Sequence, residues 1–326
     1  NDAGVPFHSV SSAMKLTDLP PHPGSFERFL PEMAPVNPAD PSDAPLLSVQ
    51  LTSLSCGGLI IALQASHRMA DGDGIFSLVA AWARASKEEL PTPQGDRSLL
   101  SRPPPPDAQD TFPELTAIPL AQLAQMAAAK AAAGPATEAR CVFLQFAKES
   151  LALLKADAGP PEGHEAEWIS TNDALCALLW QAVTRARQLP PTTMSLMGQA
   201  ANLRGRLPDL PPSFFGNASW FPTTQTLAAE EVVSASLHRL SRTVRASVEE
   251  MSPSRVVAGL AYGANKVEGG HLAMGTAFLT AGQGTNFALS NWSKFPVYET
   301  VWGGVSPVYA GTVGGTSPFG GIAVVV

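Results

Sequence analysis

The stretch Ser66–Gly74, "SHRMADGDG", sets His67 four residues before Asp71, with Asp73 close behind. A histidine side chain in isolation titrates near ~6.5, so an imidazole here could take a proton from an acceptor group near neutral pH. A carboxylate four residues on can fold back and pin the loop. It would do so by accepting from backbone N–H groups or from a neighbouring arginine, leaving the imidazole facing elsewhere. The competing reading is a buried histidine satisfied by backbone, and one His with one Asp does not separate the two. No metal is expected, because a calcium loop ends in a ligating glutamate where this chain turns apolar at Ile75 and Phe76. His8, His22, His164, His238 and His271 show no metal-ligand spacing and read as surface residues. The Gly-x-Ser-x-Gly elbow of a serine triad does not occur, nor does a glycine-rich phosphate loop.

Such a histidine needs a rigid mount. Leu46–Leu51 and Leu59–Ala65 are β-rich runs joined by Ser-Cys-Gly-Gly turn chemistry, which predicts an antiparallel pair. Gly72 and Gly74 weaken any helix running through the loop, so His67 is placed at a strand end, on a tight turn into a helix. Ile75, Phe76, Val79, Ala80 and Ala83 recur at helical spacing, predicting a helix to about Lys87 capped by Asp73. Leu90–Pro119 carries too many prolines for helix or central strand and runs into alanine-rich Leu120–Ala133. We read this as an interdomain crossover with a surface helix.

Beyond it, Cys141–Phe146 reads as a strand and Lys148–Ala156 as a short helix. Ser170, Thr171 and Asn172 supply caps for a buried helix whose apolar face is Ala174, Leu175, Leu178, Leu179 and Val183, ending in Arg185 and Arg187. Residues 195–221 read as strand then proline-bound loop, Ala228–Glu250 as one helical stretch, and the tail as short β runs between Gly and Pro.

A chain of 326 residues, 45% hydrophobic and 15% charged, can bury one large core or two ordinary ones. Two domains are expected, 1–119 and 141–326, joined by a linker at 120–140. The net charge of -7 gives no global basic field for nucleic acid or anionic membrane, while leaving room for a local basic pocket for one small anion. Cys56, Cys141 and Cys176, an odd number set far apart in apolar runs, read as buried free thiols and favour a reducing compartment. No apolar run approaches the ~20 residues of a membrane span, and the start lacks a signal peptide's basic end and apolar core. A cytoplasmic protein is the expectation. The absent initiator methionine and the final apolar run "GIAVVV" read as part of a longer chain.

His67-x-x-x-Asp71-Gly72, within "SHRMADGDGIFSLVAAWA", resembles the signature of the BAHD acyltransferase family, particularly its fungal trichothecene 3-O-acetyltransferase-like branch. "NDAGVPF", "CGGLIIALQASH", "GDRSLLSRPPPP", "WISTNDALCALLWQAVTRAR", "NLRGRLPDLPPSFFGNA" and "SNWSKFPVYETVWGG" resemble further family segments in the same order. The resemblance implies an α/β, two-domain chloramphenicol acetyltransferase-like fold, with mixed sheets flanked by helices and a channel to the histidine at the domain interface. Residues 1–119 would be the N-terminal domain lacking its first strands and helices, and 141–326 the C-terminal domain. It also implies an acyl-CoA-dependent acyltransferase that moves an acyl, here acetyl, group to a hydroxyl or amine of a small-molecule acceptor. Acyl-CoA would be cosubstrate, no cofactor would be bound, and the protein would be a monomer.

In that frame His67 is the general base, with no covalent acyl-enzyme, and Asp71 with Gly72 orients the loop. Ser290, Asn291, Trp292, Trp302 and Gly303 would line the substrate and coenzyme channel; the bland alternative for "SNW" is a strand edge with a buried tryptophan. Among Asn202, Arg204 and Arg206, the family pairs an arginine with the aspartate of a later Asp-Phe-Gly-Trp-Gly motif, but Val301 stands in the aspartate's place. The arginine is therefore expected to find another carboxylate, such as Glu299, or solvent. Two alternatives stay open. One is a non-catalytic relative binding a small molecule or partner. The other is a carrier-dependent condensation domain, whose doubled histidine is contradicted by Ser66.

Overall fold

The structure is a computed structural model that describes residues 4–19, 26–31, 45–85, 93–104, 111–123, 125, 141–160, 167–312 and 320–326. The strand pair expected before the histidine forms. β1 (Phe7–Ser12), β2 (Leu47–Leu54) and β3 (Leu59–Ala65) make one mixed sheet, β2 lying parallel to β1 and antiparallel to β3. Gly57 turns the chain between β2 and β3 at φ +82, a conformation that costs a residue with a Cβ. β1 forms an exposed edge, while Val49, Thr52 and Leu54 of the central strand are buried. α1 (Gly72–Ala85) follows, burying the small residues Gly74, Ala80 and Ala83. Its cap is Asp71, not the expected Asp73. The Gly74 N–H donates to Asp71 Oδ1 at 2.9 Å, and the Ile75 N–H to the Asp71 carbonyl at 3.0 Å.

Strand β4 (Leu115–Pro119) lies where proline content argued against one. Pro113 precedes it and Pro119 ends it, so Thr116–Ile118 remain free to pair. The expected strand at Cys141–Phe146 does not form. Val142, Phe143 and Leu144 are exposed, and residues 141–147 take no helix or strand conformation. α2 (Lys148–Asp157) and α3 (Thr171–Ala186) appear as expected, α3 opening on Ser170, whose Oγ accepts from the Asp173 N–H. β5 (Met194–Ser195), β6 (Met197–Gln199), β7 (Ala201–Asn202), β8 (Ser219–Trp220) and β9 (Leu227–Ala228) follow. The single helical stretch expected at 228–250 is two helices, α4 (Ala229–Ser234) and α5 (Leu237–Glu249). The chain turns extended at Ala235 and Ser236, and the Ser236 Oγ caps α5.

α6 (Pro253–Glu268) leads into β10 (His271–Gly275), which pairs antiparallel with β4, so residues 115–119 join a sheet from the far end of the chain. α7 (Thr276–Thr280), β11 (Phe287–Asn291) and β12 (Ile322–Val325) complete the order, and β11 lies parallel to both β6 and β12. One core gathers Trp180, Leu240, Val244, Met197 and Leu289, with the Trp180 Nε1 donating to Ser195 Oγ at 2.9 Å. A second gathers Leu203, Phe214, Trp220 and Val256, where Gly259 of α6 leaves no room for a Cβ beneath the Trp220 ring.

Only Cys176 is the buried thiol expected, and burial pushes it up. Cys56 and Cys141 are exposed, because one lies in the β2–β3 turn and the other in a segment that forms no helix or strand. All three are free. Among the described residues no helix is long and apolar enough to cross a membrane. The alanine-rich segment at 120–133 and the linker at 120–140 fall mostly outside the described residues.

Candidate active site

β3 ends at Ala65, residues 67–69 turn, and α1 starts at Gly72, so His67 stands on the strand-to-helix junction the glycines required. Its side chain is exposed and makes no hydrogen bond among the described residues, which removes the buried-histidine reading. Its carbonyl is held instead, accepting from Asn217 Nδ2 at 2.8 Å.

Asp71 is the anchor. Its carboxylate accepts five hydrogen bonds: from Gly74 N–H (2.9 Å), Ala218 N–H (2.8 Å), Ser219 Oγ (3.1 Å), Arg204 Nη1 (3.0 Å) and Arg204 Nη2 (3.0 Å). The two expected modes of pinning, backbone and arginine, operate together. Burial pushes the Asp71 carboxyl up, but Arg204 and the two backbone N–H groups outweigh it and hold it below its ordinary range. Arg204 also donates to the carbonyls of Phe214 and Gly216, both at 2.9 Å, lies over the Phe214 ring, and approaches Asp73 at 3.4 Å. The expectation that this arginine turns to Glu299 or to solvent is thus corrected. The Arg204 side chain is 3% exposed, and its partners are the aspartates of the histidine loop. Asp73, bonded by Asn202 Nδ2 at 3.0 Å, is pushed up mainly by burial and the Asp71 charge, against the pull of Arg204. Arg206 is exposed.

Gly72 and Gly74 have separate uses. A Cβ at Gly74 would lie 2.8 Å from the Ala70 Cβ, so the turn closes only around a hydrogen. A Cβ at Gly72 would lie 3.0 Å from Phe295 and 3.6 Å from Trp292 Nε1, so the "SNWSKF" segment rests on the start of α1. Phe76 joins there, with ring centroids 5.5 Å from Trp292 and 5.2 Å from Phe295. Trp292 Nε1 donates to Ser290 Oγ at 2.9 Å. Asn291 Nδ2 donates to Asn172 Oδ1, which belongs to an amide chain running on to Gln199. Ser290, Asn291 and Trp292 are all half-buried, so the tryptophan is not sealed as the strand-edge alternative had it.

Trp302 and Gly303 lie elsewhere. Trp302 packs edge-on against Trp82, centroids 4.7 Å apart, and Trp82 in turn meets Phe7. Trp82 is ten residues along α1 from Gly72, about 15 Å at 1.5 Å per residue, and Gly303 sits in an exposed turn. The substitution at Val301 accompanies a chain whose arginine has already found its partner.

His238 and His271 are half-buried rather than surface residues. His238 bonds Glu167 and the Ala158 carbonyl because α5 packs beside that segment, and His271 starts a paired strand. His8 is exposed; His22 and His164 lie outside the described residues. Among the described residues no group of His, Cys, Asp and Glu could hold a metal ion.

A cavity of about 460 Å³ lies against the back of the histidine loop. Asn217, which holds the His67 carbonyl, is on its wall, as is Arg97, whose Nη2 donates to the Met69 carbonyl at 3.3 Å. The His67 ring itself is not on that wall. Sequence reasoning singled out neither residue, because Asn217 sits in a loop and Arg97 opens a single 3-10 turn, Arg97–Leu100, both too short for periodicity to mark them.

The site is thus an exposed histidine on a strand-to-helix turn of a mixed α/β fold, tethered through its aspartate to a distant arginine. The chain belongs to the Transferase family, the BAHD acyltransferases, whose family model matches residues 1–326. Among characterised relatives it is 28% identical over 275 residues to rosmarinate synthase of Plectranthus scutellarioides, covering 83% of this chain and 61% of that protein. It is 29% identical over 234 residues to tryptamine hydroxycinnamoyltransferase 2 of Oryza sativa subsp. japonica, covering 67% of this chain and 48% of the relative. The chain thus spans about half to six-tenths of the length of these relatives. Its fold is that of F. graminearum TRI101, solved with ethyl coenzyme A, at a TM-score of 0.68 and 17% identity over 97% of this chain and 73% of that one.

Proposed function

We propose that this chain carries the acyl-transfer site of an acyl-CoA-dependent acyltransferase acting on a small-molecule hydroxyl or amine, with His67 as general base. The observation that carries the reading is the division of labour in the loop. Asp71 is fully engaged by Arg204 and backbone donors, so the His67 backbone is fixed while its ring stays exposed and unbonded among the described residues. In the reaction His67 removes the acceptor proton, and the freed lone pair attacks the thioester carbonyl. The tetrahedral intermediate then collapses to ester or amide, and the protonated imidazole returns the proton to the departing coenzyme A thiolate. Acyl-CoA is the cosubstrate and free coenzyme A the product, and no acyl-enzyme forms. Trp292, which lies against Gly72, is proposed to shape the acyl side together with Ser290 and Asn291; Trp302 is assigned to packing on Trp82, and Gly303 to an exposed turn.

Residues 1–119 and 141–326 are proposed as the two lobes, joined by 120–140, in a monomeric cytoplasmic protein. The ordered family segments support the fungal trichothecene 3-O-acetyltransferase-like branch and an acetyl donor. The names of the plant relatives support hydroxycinnamoyl donors as the second set to try.

The test is release of free thiol from acetyl-CoA and from hydroxycinnamoyl-CoA with a panel of alcohols and amines, on this protein and on His67→Ala. A positioned base contributes about 100- to 10,000-fold, or roughly 3–5 kcal/mol of barrier. A loss in that range with unchanged melting supports the reading; equal rates for the two proteins reject it.

A further inference from the structure

The donors gathered on Asp71 stop short of the residue they serve. They fix a carboxylate four residues past His67, and between the two lie Arg68, Met69 and Ala70, each with two soft backbone torsions. Upstream, the Ser66 N–H is tied to the Leu46 carbonyl at 2.8 Å, and the Met69 N–H closes a turn on the Ser66 carbonyl at 2.9 Å. The carbonyls of His67 and Met69 have no backbone donor among the described residues. Both are answered by side chains from elsewhere: Asn217 Nδ2 donates to the first at 2.8 Å and Arg97 Nη2 to the second at 3.3 Å. A carbonyl only accepts, so the side of the Asn217 amide turned to His67 is necessarily its nitrogen. The neighbours of Asn217 hold it in register. The Gly216 carbonyl accepts from the Asp71 N–H at 3.3 Å, and the Ala218 N–H and Ser219 Oγ donate to the Asp71 carboxylate at 2.8 and 3.1 Å. A Cβ at Gly216 would lie 2.9 Å from the Phe214 ring, which leaves no room for a larger residue before Asn217. Residues 216–219 thus all bond the histidine loop, and of the four only Asn217 bonds His67 itself.

We infer that Asn217 is a positioning residue for acyl transfer: its side-chain amide fixes the peptide that leaves His67, and with it the direction from which the ring meets an acceptor. The inference rests on the general-base reading for its effect on rate, though not for the hydrogen bond itself. Strand β3 holds the loop at one end and Asp71 at the other, and turning the 67–68 peptide over requires no change in either. The Asn217 amide is what opposes that turn. Its bond to His67 is exposed to solvent, so it adds little to the stability of the fold. Its effect lies in geometry, where a misplacement of about 1 Å lowers a rate by up to about 100-fold. Asn217 takes no proton; it acts through His67.

The experiment compares the unaltered protein with Asn217→Ala, His67→Ala and the double variant, using a donor and acceptor that the thiol-release panel shows to be turned over. Asn217→Ala should lower kcat about 10- to 100-fold, with KM unchanged and melting shifted by a few degrees at most. In the His67→Ala background the same substitution should lower kcat less than about twofold, because no base remains to be aimed. A full second loss in the double variant would overturn the inference, since a residue acting on the fold or directly on substrate lowers the rate with or without the imidazole. The hydrogen bond is read separately by NMR. With histidine labelled with 13C at its carbonyl and arginine with 15N, the chain has two His-Arg peptides, 67–68 and 238–239, and gives two signals. In Asn217→Ala the first should move upfield as its carbonyl loses a donor, while the second, in α5, stays in place. Two unmoved signals would overturn the inference whatever the kinetics. If the unaltered protein turns over no donor and acceptor pair, the general-base reading falls and takes the rate effect with it, while the carbonyl signal still decides whether Asn217 holds the loop.

Discussion

Arg204 and Asp71, 133 residues apart in the chain, meet through two hydrogen bonds of 3.0 Å in a pair whose side chains are 3% and 6% exposed. Two charges removed from water in this way are stable only when every donor and acceptor is answered. Here Asp71 receives three further donors, and Arg204 gives its remaining N–H groups to two backbone carbonyls and to Asn202 Oδ1. The pair therefore fixes geometry more than it adds stability, and its geometry is that of the turn carrying His67.

Removing one member should be costly. Arg204→Ala leaves the Asp71 carboxylate buried without its main counter-charge and should lower unfolding free energy by about 3–5 kcal/mol in urea titrations. Arg204→Lys, which keeps charge but not the two-pronged contact, should fall between. A loss under about 1 kcal/mol for the alanine variant would mean that the pair is not formed in solution.

The acid limb of stability follows from the same carboxylate. Because Asp71 is held below its ordinary 3.8, it binds fewer protons folded than unfolded, and its contribution is complete above that value and lost as pH falls through the folded one. Asp73 is raised, so its effect has the opposite sign: it favours the folded state at low pH and ceases to as pH rises through its folded value. The gap in melting temperature between the unaltered protein and Asp71→Asn should therefore narrow between about pH 5 and about pH 3. A constant gap would contradict this account.

The two loop glycines should respond differently. Gly74→Ala drives a Cβ into Ala70 and should cost about 1–3 kcal/mol by overpacking, seen as a lowered melting temperature. Gly72→Ala meets Phe295 at 3.0 Å, which a ring can relieve by shifting, so its main effect should be on transfer rate through Trp292. The reverse order of effects would place the "SNWSKF" segment away from the site.

Trp302→Ala should reduce stability by at least the ~0.5–1.5 kcal/mol of its aromatic pair with Trp82. The KM values for acyl-CoA and acceptor should stay as they are. A severalfold rise in either would return Trp302 to the channel.

Local periodicity made the mount of the histidine legible: the β2–β3 pair, the turn, α1 and the capped, buried α3 all follow from patterns within a few residues of each other. What escaped depends on contacts between distant segments. The cap was assigned to Asp73 because both aspartates stand at the helix start, and only the donors from Arg204, Ala218 and Ser219 hold Asp71 in the capping place. Cys141–Phe146 alternates like a strand, yet pairing needs a neighbour that the pattern cannot supply. β4 was hidden because prolines count against a strand by composition, although these sit at its ends. In the site, resemblance marked an arginine of the 202–206 segment without saying which, the carboxylate expected for it was Glu299 rather than Asp71, and the segments holding Arg97 and Asn217 were noted without either residue being singled out.

The donors that close around Asp71 all come from residues 204–219 apart from its own helix's first turn. During synthesis the histidine loop leaves the ribosome well before its clasp exists, so a nascent chain halted near residue 200 would carry His67 without its alignment. The shape of the histidine turn then arrives late in folding, as a long-range closure rather than a local one, and cannot be complete before the second half of the chain is in place.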